Sequence, residues 1–345
     1  MSNNIFELEV FKAGYGDSLL VRYGNEDNIS NILIDGGIGK TGRDLKKRIN
    51  RLFNEGQVID LLIITHIDDD HLLGIKSLFK SSFFNKDNLK LIWFNCSLNL
   101  GFELNSHLTE ITMDTDKSVK HSVRNAIKLE TLIKDLEISY LKQPIIEEND
   151  SFTLKEGKIT VLSPNMGALE SLKEKWEDEM PKKRDHRAQK DYGHSVEELL
   201  EKAFHEDTST TNRSSIAIII EYLSKKILLS GDSVPSIVCV SLNQINSDKR
   251  FALVKLSHHG SRKNTNDNLF DYLRSNYFVV STNGDRFNHP DKECLARIAN
   301  YYEDEIIFAY NYNSILDEKI FSAEELNKYK IKEIVIQNPI NILKL

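Results

Sequence analysis

The sequence predicts an α/β fold, and three observations carry that prediction. Short apolar segments alternate with amphipathic ones, one apolar segment reads as buried on both faces, and polar residues collect where such segments end. Phe6–Lys12 alternates apolar and polar side chains and Ser18–Tyr23 does likewise, so both read as strands, with Gly14 and Gly16 marking the turn between them. Asn31–Asp35 is a third strand, ending at Gly36 and Gly37. Arg43–Asn54 places Leu45, Ile49, Leu52 and Phe53 at helical spacing among Lys and Arg, the pattern of a surface helix. Val58–Thr65 is interrupted only by Asp60, as expected of a strand covered on both faces, and Leu72–Phe79 follows as a helix. Lys120–Ile138 is helical, Asp150–Leu162 is a hairpin turning at Glu156 and Gly157, and residues 169–205 are dense in charge without a strand pattern. Strands resume at Ser215–Tyr222, Lys226–Leu229, Phe251–Leu256 and Tyr277–Ser281, with helices between.

Composition narrows the function classes. The chain has 345 residues, more than the roughly 250–300 at which one core stops growing, so a large domain with insertions or two smaller domains are expected. Hydrophobic residues make up 40% and charged residues 28%, and the longest apolar runs fall far short of the roughly 20 residues of a membrane span. The start, MSNNIFELEV, has neither a basic nor an apolar leader region, and Cys96, Cys239 and Cys294 are odd in number and far apart. A cytoplasmic protein without a disulfide framework or a membrane role is expected. The net charge of −7 argues against indiscriminate binding to nucleic acid, though not against a local basic groove.

The chemistry concentrates in Thr65-His66-Ile67-Asp68-Asp69-Asp70-His71, between the buried strand and the next helix. His66, Asp68, Asp70 and His71 are four potential metal ligands within six residues. Three neighbouring carboxylates repel one another, and a divalent ion removes that cost. Imidazoles mixed with carboxylates suit Zn²⁺ or Mn²⁺ sites that keep an open position. An Asp-rich helix N-terminus explains Asp68–Asp70 by itself, but not the two flanking histidines. Asp35, Asp232 and the pair His258–His259 lie at further strand ends, where α/β folds build their sites.

These fragments resemble the metallo-β-lactamase-fold hydrolases, and most of all the soluble metallo-hydrolase domain of ComEC-type competence proteins. The resemblance rests on Gly14-Tyr15-Gly16-Asp17-Ser18, Leu33-Ile34-Asp35-Gly36-Gly37, the 65–71 heptapeptide, Ile159-Thr160-Val161-Leu162-Ser163-Pro164, Leu228-Leu229-Ser230-Gly231-Asp232, Lys255-Leu256-Ser257-His258-His259-Gly260-Ser261 and Asn288-His289-Pro290. It implies one domain over residues 1–345, a metallo-β-lactamase αββα sandwich with helical, charged insertions at residues 99–147 and 165–211. It further implies one or two divalent ions: His66 and Asp68 on the first, Asp70, His71 and one histidine of the pair on the second, and Asp232 between them. Asp35 orients a ligand from behind. Because adjacent strand residues point to opposite sides, His258 is the expected ligand, with His259 towards substrate or behind the ligands. Asp68 replaces a histidine common in the superfamily, and no histidine at a strand end completes the first metal. Asn212 and Ser214, in Asn212-Arg213-Ser214-Ser215, line that side instead. An oxygen-rich set of this kind favours weaker binding and Mn²⁺ over Zn²⁺.

Two such cations suit phosphodiester hydrolysis, and the resemblance points to a nuclease acting on DNA, by analogy an effector of defence against phage. Asp70, His71 and Asp232 would carry the chemistry. His289 either approaches the leaving group or is an ordinary loop histidine. Lys255, Arg262 and Lys263 would contact flanking phosphates or be plain surface cations, and Ser261 and His259 would face substrate. A small phosphoester as substrate, and a catalytically weak binding partner that docks through the charged insertion, remain the competing readings. His107, His121, His186, His194 and His205 fall in the insertions and are expected to be solvent-exposed.

Overall fold

The computed structural model describes residues 4–26, 28–39, 42–101, 121–147, 151–177, 190–245 and 248–345, the side chains of residues 121 and 175–177 excepted. The first sheet contains β1 (Ile5–Val10), β2 (Leu19–Gly24), β3 (Ser30–Ile34), β4 (Leu61–Ile64) and β5 (Ile92–Phe94). The second contains β6 (Phe152–Leu154), β7 (Gly157–Ser163), β8 (Ala217–Tyr222), β9 (Lys225–Leu229), β10 (Leu253–Lys255), β11 (Tyr277–Val280), β12 (Ile306–Tyr310) and β13 (Ile331–Val335). A short β14 (Ile340–Asn341) returns to the first sheet beside β1, whose order is β14-β1-β2-β3-β4-β5. The second sheet runs β13-β12-β11-β10-β9-β8-β7-β6. β1 to β3 and β6 to β9 pair antiparallel, while β3 to β5 and β9 to β13 pair parallel.

Side-chain alternation sorts each strand's residues into two layers. Phe6, Leu8, Ile32, Ile34, Leu61 and Ile63 of the first sheet meet Ile218, Ile220, Ile227, Leu229 and Val279 of the second in one central core. The intervening positions Leu20, Leu33, Leu62 and Ile64 face outward and pack on the helices Arg43–Asn54, Asp69–Phe79 and His121–Asp135. On the far side, Leu228, Val254, Phe278 and Phe308 pack on the helices Pro235–Gln244 and Lys292–Tyr301. The αββα layering expected from the sequence is the layering observed.

Most expected elements lie within a few residues of their place. The helix expected over Leu72–Phe79 begins at Asp69, because its first turn is polar and contributes nothing to apolar spacing, while Asp69 and Asp70 suit its positive end. The helix His121–Asp135 packs Val123, Ala126, Ile127, Leu129 and Ile133 into the outer core. Residues 190–211 also dock: Asp191 accepts from the backbone N–H of Lys292 and Glu293, and Val196 and Leu199 are buried. His194 and His205 are exposed, as expected, whereas the side chains of His107, His121 and His186 lie outside the described residues. No helix among the described residues is long and apolar enough to cross a membrane.

Candidate metal centre

The parallel strands set the place of the site, because their C-terminal ends gather along one edge of the sandwich. Asp35 follows β3, His66 follows β4, Asp232 follows β9, and His258 and His259 follow β10. The turns there are tight. A Cβ on Gly36 would meet the backbone N of Ile75 at 2.3 Å, so only glycine lets the Asp35 turn lie against the helix that carries Asp70 and His71. Gly16 is excluded from larger residues in the same way, its Cβ position lying 1.8 Å from the Asp70 carbonyl oxygen.

One carboxylate oxygen is the hub. Oδ2 of Asp232 lies 3.5 Å from Nε2 of His71, 3.7 Å from Nε2 of His66, and 3.8 Å from Nε2 of both His258 and His259. Asp70 closes one side, its Oδ2 being 3.6 Å from His259 Nε2 and 4.0 Å from His71 Nε2. Asp68 closes the other, 3.7 Å from His66 Nε2. The ring orientations are fixed from behind. Asp35 accepts from Thr65 N–H at 2.8 Å, from Thr65 Oγ1 at 2.7 Å and from His71 Nδ1 at 2.7 Å, so the His71 proton sits on Nδ1 and Nε2 faces inward. His259 Nδ1 donates to the Ser281 carbonyl at 2.9 Å, with Asp17 Oδ1 at 3.4 Å. His66 Nδ1 lies 3.0 Å from Thr65 Oγ1 and 3.3 Å from Ser215 Oγ.

The inward atoms are left without partners. Nε2 of His66, His71 and His259 and Oδ1 of Asp232 are buried and make no hydrogen bond. Buried polar atoms are seldom unpaired, and several converging on one point fit a ligand that accepts lone pairs. Ligand atoms of His66, His71 and Asp232 lie within 4.8 Å of one another, as do those of Asp70, His71 and His259. Mixed imidazole and carboxylate donors of this kind fit a divalent cation. The electrostatics agree. Burial alone lowers the histidines, yet the Asp232 and Asp35 carboxylates hold His71 well above its ordinary range. Asp232 and Asp17 likewise lift His259 to about 9 against burial, and burial together with His71 lowers His66. Asp232 is held well below a normal carboxylate because His71, His259 and His258 outweigh its burial. A field that attracts protons this strongly attracts a divalent cation for the same reason.

Three expectations need correction. His258 and His259 were expected to point to opposite sides of a strand, but β10 has ended and both take left-handed backbone, φ 45° and 58°. Both rings therefore turn to Asp232, and it is His259 that sits with Asp70 and His71. His258 lies on the other side, its Nδ1 3.1 Å from Asn264 Oδ1 and 3.3 Å from Asp207 Oδ2. Lys255, expected near a substrate phosphate, is fully buried, donating to Asp17 Oδ2 and the Gly231 carbonyl, so it cannot reach one. Ser214 and Ser261 do not face the centre through hydrogen bonds: Ser214 Oγ donates to the Thr211 carbonyl, and Ser261 Oγ accepts from Lys263 N–H. Asn212 lies beside His258, its Nδ2 3.3 Å from His258 Nδ1. Its Nδ2 donates to Asp207 Oδ2 at 2.6 Å, and its buried Oδ1 has no partner. His289 stands at the rim, its ring 5.1 Å from that of His258. Arg262 pairs with Asp291 and Glu293, while Lys263 is exposed.

Sequence reasoning assigned no role to Asp17, Thr65, Asp207 or Asn264. Asp17 and Thr65 stood inside quoted motifs, but Asp207 and Asn264 lie in polar stretches without any recognisable spacing.

Residues 12–110 match the model of the metallo-beta-lactamase superfamily. That match holds the heptapeptide and the Asp35 turn, and the two-sheet sandwich is the matching fold class. Among solved structures, the chain is similar to the metallo-beta-lactamase fold protein YhfI from Bacillus subtilis, at 13% identity and a TM-score of 0.42, covering 97% of this chain and 98% of that one. It is also similar to a diphosphatase of the PhnP family, at 13% identity and a TM-score of 0.36, covering 80% and 86%. The short form of human tRNase Z follows at 12% identity and a TM-score of 0.38, covering 80% and 92%. No curated protein matches the chain.

Proposed function

We propose that the protein is a metal-dependent phosphodiesterase acting on nucleic acid, with DNA the favoured substrate. One observation carries the reading: four imidazoles surround a single oxygen of Asp232, and three of them keep a buried Nε2 unpaired. His66, Asp68 and Asp232 would hold one ion. Asp70, His71, His259 and Asp232 would hold the second. Bound there, Zn²⁺ or Mn²⁺ supplies Lewis-acid charge for the attacking and leaving oxygens of an in-line displacement.

The chain's own residues do the remaining work. Asp35 and the Ser281 carbonyl keep protons on the outward Nδ1 atoms of His71 and His259, leaving the inward lone pairs free. Asp207 and Asn264 hold His258 Nδ1, so that its Nε2 faces the Asp232 side, with His289 beside it to meet substrate at the rim. Net charge −7, the burial of Lys255 and the pairing of Arg262 favour a second reading, a small phosphoester. A steep dependence of affinity on salt supports the polymer, and a shallow one the small molecule. The test is cleavage of plasmid, single-stranded DNA, RNA and bis-p-nitrophenyl phosphate with added Mn²⁺ or Zn²⁺. Asp232→Ala and His66→Ala are expected to abolish turnover with the fold intact by circular dichroism. Full activity in both variants overturns the proposed centre.

A further inference from the structure

We propose that Tyr15, Arg286 and Phe287 form a stacking platform for the nucleobase next to the phosphate held at the metal centre. The proposal deepens the phosphodiesterase reading and rests on it. Two loops build the platform. The loop after β11 is held by Asn283 N–H donating to the Gly14 carbonyl at 2.9 Å, and by Thr282 N–H donating to Asn311 Oδ1 at 3.0 Å. The other loop carries Tyr15 beside Gly16, which lies against the Asp70 backbone. The platform is thereby fixed to the ligand loop itself.

Its groups are planar and continuous with the site. Arg286 Nη1 donates to Tyr15 Oη at 2.8 Å, and its guanidinium carbon lies 5.1 Å from the ring centres of both Tyr15 and Phe287. Phe287 meets Tyr15 edge-on at 5.8 Å and stacks on His289 at 6.1 Å with 29° between planes. His289 touches His258 at 5.1 Å, and His258 Nε2 reaches Asp232 at 3.8 Å. Phe287 is 42% exposed, so its ring is not consumed by the core.

Among the described residues other cations lie over rings, such as Lys249 over Tyr272 and Arg297 over Phe204, but each of them meets a single ring. At Arg286 a planar, permanently charged group lies against two rings that are set edge-on to each other, a surface on which a base stacks and a neighbouring phosphate is attracted. On a diester whose phosphorus sits at Asp232, the next group along the strand is a sugar and its base. The platform adjoins Asp232 through His289 and His258. A free mononucleotide offers the same base chemistry without the strand.

The experiment measures binding of metal-loaded protein to a fluorescent oligothymidylate and to the same strand without bases, by anisotropy in the cold. The base-bearing strand is expected to bind about 5- to 100-fold more tightly, from the worth of one stacked base. Phe287→Ala and Arg286→Ala should shrink that ratio, and Phe287→Trp should preserve it, each with an unchanged melting temperature. Competition by thymidine monophosphate as strong as that of the strand assigns the platform to a free nucleotide; weaker competition assigns it to a strand. Equal affinity for both strands in the wild type overturns the platform, as does a ratio unaffected by Phe287→Ala. Hydrolysis of bis-p-nitrophenyl phosphate by the same preparation separates the two failures: it persists if only the platform is wrong and is absent if the phosphodiesterase reading is.

Discussion

Lys255→Met isolates a fully buried ion pair. Lys255 and Asp17 are both essentially inaccessible, 0% and 1% exposed, and they face each other across the two sheets. Asp17 is held below its ordinary range because Lys255 and His259 outweigh the effect of burial. Its Oδ1 already lacks a hydrogen-bond partner. Removing the ammonium leaves that carboxylate with His259 as its nearest remaining cation, and breaking a buried pair from one side costs about 3–5 kcal/mol. In a chain of this size that lowers the melting temperature by about 4–7 °C. Removing both charges, as Lys255→Met with Asp17→Asn, should restore most of the loss, since an uncharged replacement leaves no stranded ion. Metal affinity should not recover with it. His259 Nδ1 keeps its 2.9 Å bond to Ser281 but loses the anionic partner at 3.4 Å, so affinity should fall by about tenfold, the low end for a residue behind a ligand. Thermal unfolding in chelator reads the first quantity, and calorimetric titration with Zn²⁺ or Mn²⁺ the second. A single variant that melts with the wild type refutes the stranded-charge argument. A double variant with recovered melting and wild-type metal affinity refutes the link from Asp17 to His259.

Chelator-stripped protein should gain stability on adding metal, by about 2.7 kcal/mol at a hundredfold excess over the dissociation constant, and His259→Ala should lose more of that gain than His258→Ala; equal losses would contradict the grouping of His259 with Asp70 and His71. Asp207→Ala should lower turnover of bis-p-nitrophenyl phosphate by about 10–100-fold through misplacement of His258, with unaltered turnover counting against the pair. Burial raises Glu130 above its usual 4.5, opposed by hydrogen bonds from Ser97. The folded state therefore holds that proton more tightly, and stability present below pH 4.5 is lost as pH rises through the folded value. Glu130→Gln should remove that loss, so its melting temperature in chelator falls less than the wild type's from pH 4.5 upward; parallel curves would show that Glu130 does not titrate as described.

The fold and most of the centre were legible because both are written in short, local signals. Leu61–Ile64 announces a buried strand by composition, and His66, Asp68, Asp70 and His71 lie so close in sequence that a turn and a half-turn of helix must bring them together. Less was visible at β12 and β13. Ile306–Tyr310 and Ile331–Val335 are short strands beside charged turns, and what makes them strands is parallel pairing with β11 and each other, a long-range interaction. Lys255 shows the same limit at one residue. In sequence it is a cation next to two histidines, and only the approach of Asp17, 238 positions away, turns it into a buried partner.

The histidine pair shows where local rules stop being local. Alternation across a strand holds while φ stays extended, and β10 keeps it as far as Lys255. Three residues later Gly231 draws the backbone inward, its carbonyl accepting from His258 N–H at 3.0 Å, and 258 and 259 both take positive φ. Non-glycine residues pay strain for that conformation, so its repetition at adjacent histidines is held by the surrounding contacts, Asn264 and Asp207 on one ring and Ser281 and Asp17 on the other. The outcome is two imidazoles on one carboxylate where a strand could supply only one. That arrangement gives His259 to the Asp70 side and leaves His258 between Asp232 and His289.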